Sequence, residues 1–179
     1  EQNARFLGMV FLAKMVGTIL SRVDVSEAYR NPFHLYVDEF QSIATEGFIT
    51  LLSEARKFGV DLVLANQFLS QVQNQRIIDA VFGNVGTLIA FRLGHSDARL
   101  LGPHFEPSIA EQDFIGLPNW EAYVRTLAGG ERTKPFNVST ILPGDTFDPA
   151  IRDYVRTHSR ANYARPRLEV ESNLLPPER

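Results

Sequence analysis

Five residues carry the strongest chemical signal in this chain: Leu35-Tyr36-Val37-Asp38-Glu39. Short apolar runs of this kind read as buried strands, and the strand ends in two adjacent carboxylates. In open α/β folds ligands bind at the carboxyl ends of strands. Two acids at such a tip suit phosphoryl transfer. Asp38 would hold Mg²⁺, and Glu39 would orient or deprotonate the attacking water. The ordinary alternative is a strand that ends in a polar turn.

A second apolar run, Asp61-Leu62-Val63-Leu64-Ala65-Asn66, leads into Gln67. Parallel neighbours place their carboxyl ends side by side, so Gln67 would face the crevice that Glu39 faces. An uncharged amide there can bond both a phosphate and a water. Between the two runs lies Ser53-Glu54-Ala55-Arg56-Lys57-Phe58-Gly59. Cations suit the end of a helix. Arg56 could instead reach a neighbouring subunit's nucleotide, and Lys57 is the adjacent alternative.

Weaker signals follow. Arg92, at the end of a third run, is a candidate for phosphate or interface contact. Asp97-Ala98-Arg99 reads as a solvated helix face. Trp120 and Tyr123 read as packing a hairpin, because stacking on bases would call for more aromatics beside a basic groove. Arg152, Arg156 and Arg160 recur every four residues, with Asp153 the only acid between 152 and 167. That face is either solvated or touches DNA or another subunit.

The elements that must position these groups follow from periodicity. Residues 6–20 are apolar nearly all round, which predicts a helix buried on most sides. Its apolar part, 6–16, is interrupted by Gly8 and Lys14 and falls short of the roughly 20 residues a membrane span needs. The chain opens inside this pattern without a signal-peptide arrangement, which leads us to expect a segment upstream. Strands are expected at 33–37, 61–66 and 87–91, and helices at about 46–58, 69–82 and 96–101. That alternation predicts a mostly parallel α/β sheet flanked by helices. Residues 122–127 and 136–141 read as an antiparallel hairpin across Gly129-Gly130 at the sheet edge. Residues 143–149 read as a loop, 149–158 as a helix, and the remainder from about 160 as polar tail. The expected division is 1–145 and 146–179.

Composition bounds the function. The chain has 179 residues, 44% apolar and 22% charged, with a net charge of −3. Such a chain buries an ordinary core. Its charge excludes a strong global field for nucleic acid, so any basic surface is local. It has no cysteine and four scattered histidines, which excludes disulfides, thiolate zinc sites and a cysteine nucleophile. No Gly-x-x-x-x-Gly-Lys-Ser/Thr phosphate loop occurs, and no Gly-Lys pair.

Four blocks together make a resemblance. They are Phe33-His34-Leu35-Tyr36-Val37-Asp38-Glu39-Phe40-Gln41, Leu52 through Gly59, Ala65-Asn66-Gln67, and Asp79 through Thr87. The stretch from 1 to 141 resembles the C-terminal half of the HerA/FtsK-like ATPase motor domain, in the TraD/TraG branch of type IV secretion coupling proteins. The resemblance implies a RecA-like fold, a hexameric ring, hydrolysis of ATP with Mg, and DNA pumping. It makes Asp38 and Glu39 the Walker B pair, with Asp38 on the metal. Gln67 becomes the sensor glutamine, and Arg56 the arginine acting in trans. It also implies a cytoplasmic location, at the inner face of a bacterial membrane, with the secretion machinery as partner through other regions. The Walker A strand and loop are missing from the pattern, so the chain alone should be inactive. Two alternatives remain: a DNA-repair or packaging motor of the same superfamily, and a non-catalytic oligomerisation or binding module.

Overall fold

The computed structural model describes residues 2–72, 74–142, 144 and 147–174. The chain divides into two units, 1–140 and 141–179. The expected boundary at 145/146 falls inside the second.

The first unit opens with helix α1 (Gln2–Leu20), followed by single 3-10 turns and strand β1 (Phe33–Val37). Helix α2 (Glu46–Glu54) and a 3-10 turn, Ala55–Phe58, lead to strand β2 (Val60–Leu64). Gly59 ends the helical stretch at φ 68°, the left-handed conformation that glycine adopts without a Cβ clash. β1 and β2 pair in parallel, from Phe33 opposite Val60 to Val37 opposite Leu64. Parallel strands need a crossover connection, and α2 supplies it.

The expected helix at 69–82 is interrupted. Leu69–Gln71 forms one 3-10 turn, and helix α3 (Gln75–Asn84) starts anew. The cause is local: Asn74 Oδ1 accepts the Arg76 N–H at 3.0 Å, an N-cap that begins a fresh helix. Strand β3 (Leu88–Ala90), helix α4 (His95–Leu101) and helix α5 (Glu111–Ile115) come next.

The third strand corrects the sequence reading. β3 does not join β1 and β2. It pairs antiparallel with strand β4 (Glu121–Arg125), which pairs antiparallel with β7 (Phe136–Ser139). Between β4 and β7, strands β5 (Leu127–Ala128) and β6 (Glu131–Arg132) form a small ribbon turning at Gly129 and Gly130, at φ 61° and 87°. The expected hairpin is thus present, but its sheet contains β3 rather than the parallel pair. Apolar periodicity identifies a strand; it does not name the strand's neighbour.

Two cores lie in this unit. The larger gathers Leu12 and Ile19 of α1, Phe48 and Leu51 of α2, Val37 and Val60 of the parallel pair, and Ile77 of α3. The second gathers Ala90, Ala98, Leu101, Phe105 and Phe114. Phe114 meets Phe105 and Tyr123 edge to face at 5.1 and 5.3 Å, a favoured aromatic geometry.

α1 also departs from expectation. Leu12 and Ile19 are buried, but Phe6, Leu7 and Phe11 are 65%, 68% and 61% exposed. The helix packs on α2 along one side, and Gly8 lets Ile43, in the turn before α2, approach closely. Among the described residues nothing covers the opposite side. With its trailing turn the segment Gln2–Asp24 spans 23 residues, long and apolar enough by length and composition to cross a membrane. The sequence reading put it short of that because it counted only residues 6–16, without the residues on either side that the helix and its trailing turn include.

In the second unit, helix α6 (Pro149–Tyr163) starts at Asp148, whose Oδ1 accepts the Ala150 and Ile151 N–H groups. It runs five residues past the expected end at 158. Helix α7 (Arg167–Leu174) follows within the segment read as polar tail. Its residues are largely polar, so no apolar stripe announced it. Pro143, Asp145 and Thr146 of the expected loop, and residues 175–179, lie outside the described residues.

Candidate functional site

The site is built where β1 and β2 end. The ladder continues past Leu64: the Ala65 N–H donates to the Val37 carbonyl at 2.9 Å, and the Phe40 N–H donates to the Ala65 carbonyl at 3.2 Å. These bonds hold the turn after β1 against the end of β2. Asp38 and Glu39 occupy the first turn; Asn66 and Gln67 directly follow the second strand.

Asp38 is exposed, and its Oδ1 accepts the Glu39 N–H at 2.9 Å. Glu39 is half-buried and sits at φ 48°, ψ 45°. For a residue with a Cβ this left-handed conformation is strained, and such strain gathers at functional sites. The turn is fixed by the Ser42 N–H and Oγ–H, which both donate to the Glu39 carbonyl, at 3.0 and 2.8 Å. The Glu39 side chain is held too. Gln41 Nε2 donates to its Oε2 at 2.5 Å and reaches toward Gln71 Oε1 at 3.5 Å.

Two buried atoms here lack partners within the structure: the acceptor Gln41 Oε1 and the donor Asn66 Nδ2. Buried polar atoms are seldom left so, and each asks for a reason. Asn66 Nδ2 fits a phosphate oxygen. Asp38 Oδ2, free of any bond among the described residues, fits a hard cation. No group of three or more His, Asp or Glu gathers among the described residues. Asp38 is a lone carboxylate there, and would hold a cation such as Mg²⁺ only together with substrate phosphates.

Gln67 is exposed and lines a cleft of about 850 Å³ between β2 and β3. Leu62, Leu64, Leu88, Ala90 and Phe82 give the cleft apolar walls. β2 pairs only with β1, and β3 only with β4, so among the described strands both edges facing the cleft are unpaired. Arg92, also exposed, lines the same cleft without a polar partner among the described residues.

Arg56 also borders this cleft and is exposed, without a hydrogen bond or ion pair among the described residues. Lys57 is engaged: its Nζ lies 2.9 Å from Glu54 Oε2. Arg56 precedes β2, whereas Gln67 follows it; at about 3.3 Å per residue the five-residue strand between them is roughly 16 Å long. The turn carrying Arg56 is clamped by two arginines that the sequence reading passed over. Arg22 Nη1 donates to the Phe58 carbonyl at 2.8 Å, and Arg30 Nη1 to the Lys57 carbonyl at 2.6 Å.

Two weaker readings are corrected. Asp97 is not on a solvated face: it is 4% exposed, and Ala98 beside it is fully buried. α4 packs Ala98 and Leu101 into the second core, which carries Asp97 inward. Trp120 does not pack the hairpin. It is 66% exposed at φ 69°, and its carbonyl accepts the Thr140 N–H at 2.7 Å. Tyr123 does pack, against Phe114. Arg152, Arg156 and Arg160 are exposed along α6, with Arg152 paired to Asp153 at 2.8 Å. Neither Gln41 nor Asp97 received a chemical role from the sequence, since neither stands in a spacing that chemistry demands.

No family model and no curated protein matches the chain. Among solved structures it is similar to the genome packaging NTPase B204 from Sulfolobus turreted icosahedral virus 2, in complex with AMPPCP. The similarity has a TM-score of 0.52 at 15% sequence identity, and covers 74% of this chain and 62% of that one. The chain thus spans about three fifths of that NTPase's length, and what the two share is a fold.

Proposed function

We propose that this chain supplies the hydrolytic part of an ATP-driven, DNA-translocating motor of the HerA/FtsK-like class. The observation that carries the proposal is Glu39: a strained, tethered carboxylate on the turn after Asp38, held by backbone bonds beside Asn66 and Gln67. Asp38 would hold Mg²⁺, which when bound with ATP offsets charge on the phosphates. Glu39 accepts the proton of the attacking water. Gln67 orients that water, and Asn66 donates to a phosphate oxygen. Arg56 belongs to a neighbouring subunit's site, because its place before β2 takes it away from its own Glu39.

The phosphate-cradling half comes from outside these 179 residues. The strand carrying the phosphate loop would pair with the edges of β2 and β3 that are unpaired beside the cleft. The ring is a homo-oligomer, hexameric by the family resemblance. Within the superfamily we place the motor in the TraD/TraG coupling branch, acting at the cytoplasmic face of a bacterial membrane. A packaging motor is the second reading, favoured by the likeness to a genome packaging NTPase.

The test is ATP turnover by this chain, alone and together with its native upstream segment. The chain alone should be inactive. The combination should hydrolyse ATP with Mg²⁺ and lose activity on Glu39→Gln. An upstream sequence without Gly-Lys-Ser/Thr, or a combination that never binds ATP, would falsify the motor reading and leave a binding module.

A further inference from the structure

We infer that Asp97 is a positioning residue for Gln67, an inference that rests on the motor reading above. Asp97 stands in the first turn of α4, 30 residues beyond Gln67. Its carboxylate reaches across to the connection that Gln67 begins: Oδ1 accepts the Ser70 N–H at 2.9 Å, and Oδ2 accepts the Leu69 N–H at 3.2 Å. Ser70 and Leu69 open the 3-10 turn that follows Gln67.

A carboxylate that is 4% exposed is costly unless it is well bonded. No lysine, arginine or histidine pairs with Asp97 among the described residues. Its compensation is two backbone donors, which are short and directional when the acceptor is charged. Phe68, between Gln67 and Leu69, is 51% exposed. Leu69 packs against both cores; the two bonds from Asp97 add the polar hold on the backbone that follows Gln67, and so position the residue that lines the cleft. Asp97 and Gln67 border the same cleft. Both carboxylate oxygens are taken up by the turn, and it is through the turn that Asp97 acts.

An amide in place of the carboxylate keeps the shape. It can accept from one N–H but turns an NH₂ toward the other. Ser70→Pro removes one donor from the opposite side and suits the first turn of a 3-10 segment. The experiment measures steady-state ATP turnover of the full-length protein as Asp97→Asn, Ser70→Pro, Gln67→Ala and Asp97→Asn/Gln67→Ala, with a thermal melt of each. Misplacing a catalytic group by about 1 Å costs up to roughly 10²-fold. We expect Asp97→Asn and Ser70→Pro each to lower kcat at least tenfold, with KM for ATP within twofold. The double variant should be no slower than Gln67→Ala alone, because both changes remove the same function. A double variant slower by the product of the two single effects overturns the inference and leaves Gln67 in the site. So does a folded Asp97→Asn protein with wild-type kcat. Wild-type turnover in Gln67→Ala overturns the site reading itself, and the inference with it.

Discussion

The side-chain amide of Gln41 donates to the carboxylate of Glu39 at 2.5 Å, two residues along the same turn. The carboxylate is therefore held by its own loop. In the full-length protein, Glu39→Gln should leave ATP binding nearly intact and lower turnover by about 10²–10⁴, the usual contribution of a positioned base. Equilibrium binding of a fluorescent ATP analogue, set beside phosphate release, checks both halves. Unchanged turnover removes Glu39 from the mechanism.

The left-handed backbone at Glu39 has a stability signature that is independent of catalysis. Glycine ordinarily costs more than alanine in ordered structure. At a left-handed position the order reverses, since a Cβ there costs roughly 1–2 kcal/mol. Glu39→Gly should thus be more stable than Glu39→Ala by about 1 kcal/mol in urea unfolding. The opposite order would mean that residue 39 is not held left-handed in solution.

Arg56 should complete a neighbour's site. Full-length Arg56→Ala and Glu39→Gln subunits should each be inactive alone. Mixed into common rings, they should recover part of the activity, because some interfaces then pair an intact Arg56 with an intact Glu39. Mixed rings without recovery would return Arg56 to an ordinary helix-end cation.

Stability should depend on pH through His104, whose ring stacks on Phe82 at 4.2 Å. Burial, then the positive charges of Arg125 and Arg132, hold its pKa below the ordinary value. Unfolded, it takes up a proton near pH 6.5, about the model-peptide value. Between the two pKa values the unfolded chain binds more protons, so stability falls as pH drops through about 6.5 and levels off below the folded pKa. Urea midpoints at pH 7.5 and 5.5 should differ more for the wild type than for His104→Gln. Equal differences would count against His104 as the source.

Much of this arrangement was legible in the residue order, and the exceptions have physical causes. Apolar runs located β1, β2 and β3, and the acids after Val37 marked the turn that the ladder then holds beside Gln67. The partner of β3 was not legible, because pairing depends on tertiary contacts between β3 and β4 that no local pattern encodes. The exposed flank of α1 was misread for a related reason: an apolar helix announces that it wants cover, not that this chain provides it. Asp97 was misread because a single acid in a short helix looks solvated until Ala98 and Leu101 are seen to turn its helix inward. Arg22 and Arg30 went unnoticed because guanidinium bonds to carbonyls leave no spacing rule.

Leu69 and Phe82 pack against both hydrophobic cores, and this shared membership bears on cooperativity. Neither core can come apart without stripping contacts from the same two side chains, so unfolding of one lowers the barrier to unfolding of the other. Heat should melt residues 1–140 in a single transition, with calorimetric and van't Hoff enthalpies in agreement. Phe82→Ala should split that transition in two, separating the parallel pair with its acids from the antiparallel sheet that carries β3.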